Sequence, residues 1–480
     1  MWKSVAEART NTPLSRETGE GPGERAASQT RPSPGPAGHP APRPTAGIAL
    51  PAGCAGVEQS STNSLLAPQT GEGKNIIVVG AGPLGLCAGL RLAAQGHSVQ
   101  LLDARRADQA HEDRRVLALS HGSRQLLETL GAWPAQTATP ITTIHVSQRG
   151  ALGRTEMRHA DYGLPALGYV LPASALMQAL LARARDVGLD IRYDARVEAL
   201  SASATQVSLN TRSEAGAGDV LHATLAVCCE GRIDEPPARQ NSVAPPPKRA
   251  GRKVLGRPGD FSAASSDVHA RDYDQHALLL RVTPAQPHAN TAWERFTPDG
   301  PIALLPQGGD FGVVWTMSPE RLATLKALPD DALLAELQRA FGLRVHFSKL
   351  HSRASYPLGM KMRKSPVGDR TVWLGNAAQT LHPVAGQGFN LGLRDAWELA
   401  DTLRAATDPG AADVLARYAR QRRADRQGAA GFTDSLVRLF SNNNPLLTHA
   451  RGAGLLALDI CPPLRHFVTK RMIFGARAWP

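Results

Sequence analysis

Asn75-Ile76-Ile77-Val78-Val79-Gly80-Ala81-Gly82-Pro83-Leu84-Gly85-Leu86 decides the architecture of this chain. Asn75 to Val79 is an apolar run of strand length, Gly80 to Gly85 follows as a tight turn, and Leu86 to Gln95 places apolar residues at helical spacing. Ser98 to Leu102 reads as a second strand, completing a βαβ unit of about 30 residues, the size of a dinucleotide-binding crossover. Gly80, Ala81, Gly82, Pro83, Leu84 and Gly85 spell G-x-G-x-x-G between strand and helix, the context in which that motif has meaning. Glycines permit the sharp turn and let backbone N–H groups approach a pyrophosphate, whose charge the helix N-terminus favours. Asp103, eighteen positions beyond Gly85 at the end of the second strand, is placed to accept hydrogen bonds from ribose hydroxyls. That carboxylate favours FAD or NAD over NADP at this site, with Arg105 and Arg106 as the nearby opposing charges.

Upstream of this unit, residues 1–72 are rich in Pro, Gly, Ser, Thr and Ala without an apolar period, which predicts a disordered tail or a start assigned too far upstream. The net charge of +12 over 480 residues favours anionic partners. Nucleic acid is not expected, because aromatic residues make up 5% of the chain and much of the positive charge is spread through loops and tail without interleaved aromatics to stack bases. Five cysteines form no C-x-x-C pair, so neither a disulfide framework nor a bound metal is expected, and the compartment reads as a reducing cytoplasm. No run reaches the roughly 18 apolar residues of a membrane span, and no signal-peptide core is visible.

Downstream, residues 235–266 carry Pro236, Pro237, Pro245, Pro246 and Pro247 and read as a loop. Ala277 to Val282, Thr291 to Phe296, Ile302 to Leu305 and Phe311 to Thr316 then predict an antiparallel sheet within about 270–356. Helical spacing follows at Leu325 to Phe341, Leu391 to Ala406, Val414 to Arg426 and Leu436 to Leu447. The expected fold is α/β, a Rossmann-like nucleotide-binding domain over 73–410 interleaved with an antiparallel-sheet substrate domain, and C-terminal helices over 411–480.

A second block runs Gly375-Asn376-Ala377-Ala378-Gln379-Thr380-Leu381-His382-Pro383-Val384-Ala385-Gly386-Gln387-Gly388-Phe389-Asn390-Leu391-Gly392. It resembles the second flavin fingerprint of the para-hydroxybenzoate-hydroxylase class of FAD-dependent monooxygenases, and in detail the ubiquinone-biosynthesis hydroxylases. The resemblance covers about 74–475. It implies that Gly375, Ala377 and Pro383 contact FAD with Asn376 at the ribityl chain, and that Gly386, Gln387, Gly388, Phe389 and Asn390 open a helix toward the isoalloxazine ring. The resemblance further implies FAD contacts from Arg115, in Asp113-Arg114-Arg115, from Val197, and from Glu230-Gly231. Trp293-Glu294-Arg295-Phe296 and Gly300-Pro301-Ile302-Ala303-Leu304-Leu305-Pro306 resemble scaffold strands around the substrate cavity.

Three positions depart from the family pattern. Glu230 stands where the family has Asp, Gln379 where it has His, and Asp274 where it has Gly, the last implying strain if the backbone there needs positive φ. Cys228 and Cys229 are neighbours on a strand and are expected on opposite faces as core thiols.

The resemblance implies that NADH or NADPH, binding transiently, reduces FAD and that one atom of dioxygen is placed on an electron-rich aromatic ring. No catalytic base is assigned, His382 included. The implied substrate is a lipophilic, polyprenylated phenol or quinol. Leu455, Leu456, Leu458, Ile460, Leu464, Phe467 and Val468, interleaved with Arg451, Arg465, Lys470 and Arg471, suit peripheral contact with the inner face of a membrane as well as a terminal helix packed on the enzyme. A hydroxylase of a soluble aromatic catabolite, and a catalytically impaired flavoprotein-like scaffold in a biosynthetic complex, are the alternative readings.

Overall fold

A computed structural model describes residues 75–109, 115–150, 153–231, 233, 267–382, 386–440 and 445–475. The expected tail over 1–72, the Pro-rich segment 235–266, Asp113, Arg114 and Pro383 lie outside the described residues.

The strand Asn75–Val79 lies at the centre of a six-stranded sheet, paired in parallel with Leu225–Cys228 and Ser98–Leu102. Both faces of such a strand must be covered, and Ile76, Ile77, Val78 and Val79 are all buried. Ile76 and Val78 pack with helices Pro83–Ala93, Ala173–Asp186 and Gly388–Leu403, while Ile77 and Val79 meet Val207 and Leu209 of a three-stranded antiparallel sheet. Cys229 and Cys228 divide between these two cores as expected. Burial pushes both thiols up, that of Cys228 to about 12, so neither is a reactive thiolate. Thr371–Trp373 pairs beside Leu225–Cys228 and carries the chain to Gly375 at the same sheet edge as Gly80.

A second sheet has eight strands in the order Gln379–Thr380, Phe347–Arg363, Val268–Pro284, Asp310–Met317, Gly300–Gln307, Thr291–Thr297, Thr143–Gln148 and Arg154–Arg158. The antiparallel strands expected from Ala277 onward are present. The sheet is larger than the sequence suggests, because Thr143–Gln148 joins in parallel to Thr291–Thr297, with Val146 opposite Glu294. Its two faces have different neighbours. Ile302, Leu304, Val313 and Trp315 pack toward the helical layer containing Leu322, Leu325, Leu333 and Leu337, whereas Ala303, Leu305, Val314 and Thr316 line a cavity. The near-continuous apolar run from Pro301 to Pro306 follows from that two-sided demand.

The helix expected over Leu325 to Phe341 is two helices, Pro319–Lys326 and Asp330–Phe341, because Pro329 cannot continue the first. Ala412–Phe440 is one long helix, followed by Pro445–Ile460 and Pro462–Phe474.

Asp274 has φ of 51°, at a bulge where the pairing of Val268–Pro284 with Phe347–Arg363 shifts between Asp272 and Gln275. The Asp272 carboxylate accepts the Asp274 N–H at 2.9 Å. This is the positive φ that the Gly-to-Asp departure implies. Asp274→Gly should relieve it and raise the unfolding free energy by up to about 1 kcal/mol, seen as a higher urea midpoint at constant slope. A lower midpoint would contradict the strain.

Candidate active site

At the first turn, Gly80 has φ of 97° and its N–H donates to Leu102 O at 2.7 Å. A Cβ on Gly85 would lie 1.8 Å from the Gly80 carbonyl oxygen, so helix and strand can approach this closely only without a side chain there. Gly82 faces open space instead, with nothing within 4 Å of a Cβ position. It starts the helix Pro83–Ala93 with no side-chain cap and no acidic residue in the first turn. The first-turn N–H groups are therefore left for a ligand. An open space at a helix start with unused donors fits the pyrophosphate of FAD.

Asp103 is buried beside this turn, and its Oδ2 accepts the Ala81 N–H at 2.9 Å. Arg105 grips the same carboxylate twice, from Nε to Oδ1 at 2.9 Å and from Nη2 to Oδ2 at 2.8 Å. Burial pushes the carboxyl up, but the Arg105 bonds and charge with the Ala81 N–H outweigh it and hold it below the ordinary value. Asp103 is thus an anion, and a ribose hydroxyl bound there would share it with Arg105.

The second block folds against the first turn. Gly375 has φ of 53°, and a Cβ on it would stand 2.3 Å from Leu84 Cδ2; one on Gly392 would stand 3.0 Å from the same atom. Leu84 therefore wedges the two glycine turns together, and Phe389 packs against the core behind them. Ala377 is buried, and Asn376 Oδ1 lies 3.9 Å from where a Gly388 Cβ would be, which places its amide across from the helix start. Gly386 has φ of 58° and faces Ala118, while Gln387 Nε2 donates to Met472 O at 3.3 Å.

Asn390 is buried with four bonds to protein. Its Oδ1 accepts from Ser120 N at 2.9 Å and Ser123 Oγ at 2.7 Å, and its Nδ2 donates to Ala118 O at 3.0 Å and Gly386 O at 2.9 Å. Its amide is spent on holding the Gly386 turn against the strand Val116–Ser120. Glu230 and Gly231 follow the strand Leu225–Cys228 beside the first turn, where Glu230 Cα stands 3.3 Å from a Gly80 Cβ position and the Glu230 side chain is exposed. Arg115 is exposed and enters the strand Val116–Ser120, its carbonyl accepting the Ala173 N–H. Val197 is half-buried against the face carrying Leu102 and Val79. The fold thus gathers Gly80–Gly85, Asp103, Glu230–Gly231, Gly375–Ala377 and Gly386–Asn390 at one sheet edge.

Beyond the Gly386 turn lies a cavity of about 450 Å³. Its walls are apolar, with Ile144, Val146, Met157 and Phe296 from the eight-stranded sheet and Leu455, Leu458, Val468 and Met472 from the last two helices. Gly386, Gln387 and Asn390 line the same cavity, so the flavin turn and the substrate sheet share one space. Glu294 also lines it. The sequence reading had treated Glu294 as scaffold; the available signal was one carboxylate in the alternation Ala292-x-Glu294-x-Phe296, whose other two members face the cavity.

The sequence reading also missed a buried polar cluster. Asp395 accepts from Gln379 Nε2 at 2.6 Å, Arg422 Nε at 2.7 Å and Gly375 N at 3.3 Å, while Arg426 Nε donates to Gln379 Oε1 at 2.6 Å. Gln379 is therefore a bridge in this cluster rather than an unexplained departure.

The family described as FAD binding domain matches residues 74–433. Ubiquinone hydroxylase UbiL of Rhodospirillum rubrum is 32% identical over 440 residues, 88% of this chain and 96% of that protein. The 3-demethoxyubiquinol 3-hydroxylase of Escherichia coli is 30% identical over 405 residues, 81% of this chain and 96% of that protein. Among solved structures, p-nitrophenol 4-monooxygenase PnpA from Pseudomonas putida superposes with a TM-score of 0.64 at 16% identity, covering 84% of this chain and 98% of that one.

Removing the Asp395 carboxylate by Asp395→Ala leaves Arg422, 2% exposed, as a buried cation with a lost partner. The expected cost is about 3–5 kcal/mol, together with loss of visible flavin absorbance from the purified protein; unchanged melting and colour would refute this role. His382 is 2% exposed, and burial lowers its imidazole to about 4. The folded state keeps it neutral while the unfolded chain protonates it near the ordinary value. Its stabilising effect is complete above about pH 6.5 and fades as pH falls toward 4, by roughly 2–3 kcal/mol in all. Urea titrations of His382→Asn against the parent at pH 5 and 7.5 should show a shallower acid loss in the variant.

Proposed function

Because this chain belongs to the FAD-dependent aromatic-ring monooxygenases, in the family of the ubiquinone hydroxylases, we propose that its substrate is a polyprenylated phenol or quinol taken from a membrane surface. It uses FAD with NADH or NADPH as reductant. When bound, the flavin supplies reducing equivalents and activated oxygen. The residues of the chain do the rest. Gly80–Gly85 and Asp103 would hold the nucleotide end, Asn376 would meet the ribityl chain, the Gly386–Gly388 turn would face the ring end, and the apolar walls would keep water out of the cavity.

The observation that carries the substrate reading is the two-sided character of the last helices. Leu455, Leu458, Val468 and Met472 line the cavity, while Leu456, Ile460, Leu464 and Phe467 are exposed, Ile460 at 71%. Lys470 and Arg471 share the exposed side with them. Apolar residues flanked by cations suit an interface of anionic lipid, each buried large side chain contributing about 1.5–3 kcal/mol. No described helix is long and apolar enough to cross a membrane, so contact at the surface is the mode proposed.

The combined variant Leu456→Glu, Ile460→Glu, Phe467→Glu should keep its flavin and its turnover of small phenols. It should lose flotation with anionic vesicles and at least about tenfold of its turnover of vesicle-borne prenylated phenols. Equal flotation and turnover on both substrates would exclude the surface reading.

A further inference from the structure

Glu294 presents a carboxylate in a wall that is otherwise built to be dry. It lies on the strand Thr291–Thr297 between Ala292 and Phe296, all three lining the cavity, and its register partners Val146 and Ala303 line it too. Of the intervening residues, Trp293 also contributes to the lining and stacks on His145 with ring centres 4.5 Å apart, whereas Arg295 lies outside the lining with its guanidinium over Phe341 at 5.9 Å. Among the described residues, no hydrogen bond or ion pair is made by the Glu294 side chain. The charged side chains that reach the same cavity from other elements are Arg451 and Arg465 of the two last helices, and its neutral polar groups include Ser120, Thr155, Thr316, Gln387 and Asn390.

A carboxylate without a partner in an apolar enclosure costs several kcal/mol of desolvation, and nothing in the packing of this sheet needs it. The neighbouring cavity positions Ala303, Leu305 and Val314 are apolar. Enclosure alone pushes the Glu294 carboxyl up to about 8, with no neighbouring charge contributing. At that value its basicity approaches that of a phenol and its titration falls near working pH, the condition under which a general base is most effective.

We propose that Glu294 is a catalytic base that accepts the proton of the substrate's ring hydroxyl. The phenol O–H bond breaks, an O–H bond forms on the Glu294 carboxylate, and the electron pair stays on the ring oxygen. The phenolate so formed is richer in electrons at the ortho and para carbons, where oxygen is inserted. No electron is gained or lost in this step, and the proton returns to the product oxygen before release. The inference rests on the aromatic-hydroxylase reading above and adds the residue that prepares the ring.

The test uses the flavin-loaded enzyme and two variants, Glu294→Gln and Glu294→Asp, with a simple phenol and a prenylated one. Both variants should retain flavin and oxidise NAD(P)H. Glu294→Gln should lose about 10²–10⁴-fold in product formation, and the rise of kcat/KM with pH through about 8 should vanish. Glu294→Asp should recover part of the rate and keep the pH limb. The deficit of Glu294→Gln should narrow for phenols whose hydroxyl is made more acidic by ring substituents. In the infrared, the parent should show a protonated carboxyl band lost with a midpoint near pH 8 and absent from Glu294→Gln. A Glu294→Gln enzyme with parental rate and pH profile overturns the proposal, as does a band that titrates in the ordinary carboxylate range. If the parent itself hydroxylates neither phenol, the functional reading fails instead, which the parent assay alone reveals.

Discussion

The Asp395 carboxylate lies where three parts of the chain meet: the Gly375 turn, the helix Gly388–Leu403 on which it sits, and the helix Ala412–Phe440 that supplies Arg422. Each oxygen is used, and Arg422 is further paired with Asp425 at 2.9 Å, itself held by Arg394 at 2.8 Å. Buried ion pairs are not a cheap source of stability, since desolvation consumes much of their attraction. Their geometry is demanding, however, since the carboxylate must meet Gly375 N, Gln379 Nε2 and Arg422 Nε together. The Gly375 turn is fixed by that demand, and Leu84 is fixed between Gly375 and Gly392. The distance between the two glycine turns, and so the span available to one extended dinucleotide, follows from the seating of this carboxylate.

The nucleotide half of the site was legible in the sequence because its determinants are local. Strand, glycine turn, helix and acid fall within one stretch from Asn75 to Asp103, where periodicity and turn chemistry act over neighbouring residues. The Asp274 conformation was legible only through the resemblance, which has glycine at this position, the residue that positive φ favours. What stayed hidden depends on residues far apart. Nothing local in Thr143 to Gln148 says that it will pair in parallel with Thr291–Thr297. Gln379 looked like a simple departure until Asp395 and Arg426 stood beside it. Arg105 was visible next to Asp103, but its double grip on the carboxylate depends on the turn geometry rather than on spacing.

Most of the fold obeys the ordinary rules of burial and pairing, so the places that break them carry information. Glu294 places an ionisable group between the apolar register partners Val146 and Ala303. The exposed side of the last two helices keeps Ile460, Leu464 and Phe467 in water. Neither feature improves the stability of the isolated chain. Both belong to the same cavity, one on its inner wall and one on the outside of its cover.

The size of the cavity links these two features. About 450 Å³ suits an aromatic head group with a short stub of chain, so a long polyprenyl tail must leave the protein while the ring is held at the Gly386 turn. In water, that tail would expose apolar surface at a cost of about 25 cal/mol per Å², which no wall of this cavity recovers. On the proposed reading, the tail would be accommodated by passing the helices Pro445–Ile460 and Pro462–Phe474 toward a lipid surface that their outward apolar residues would meet. Gln387, bonded to Met472 O at 3.3 Å, ties the flavin turn to that same cover.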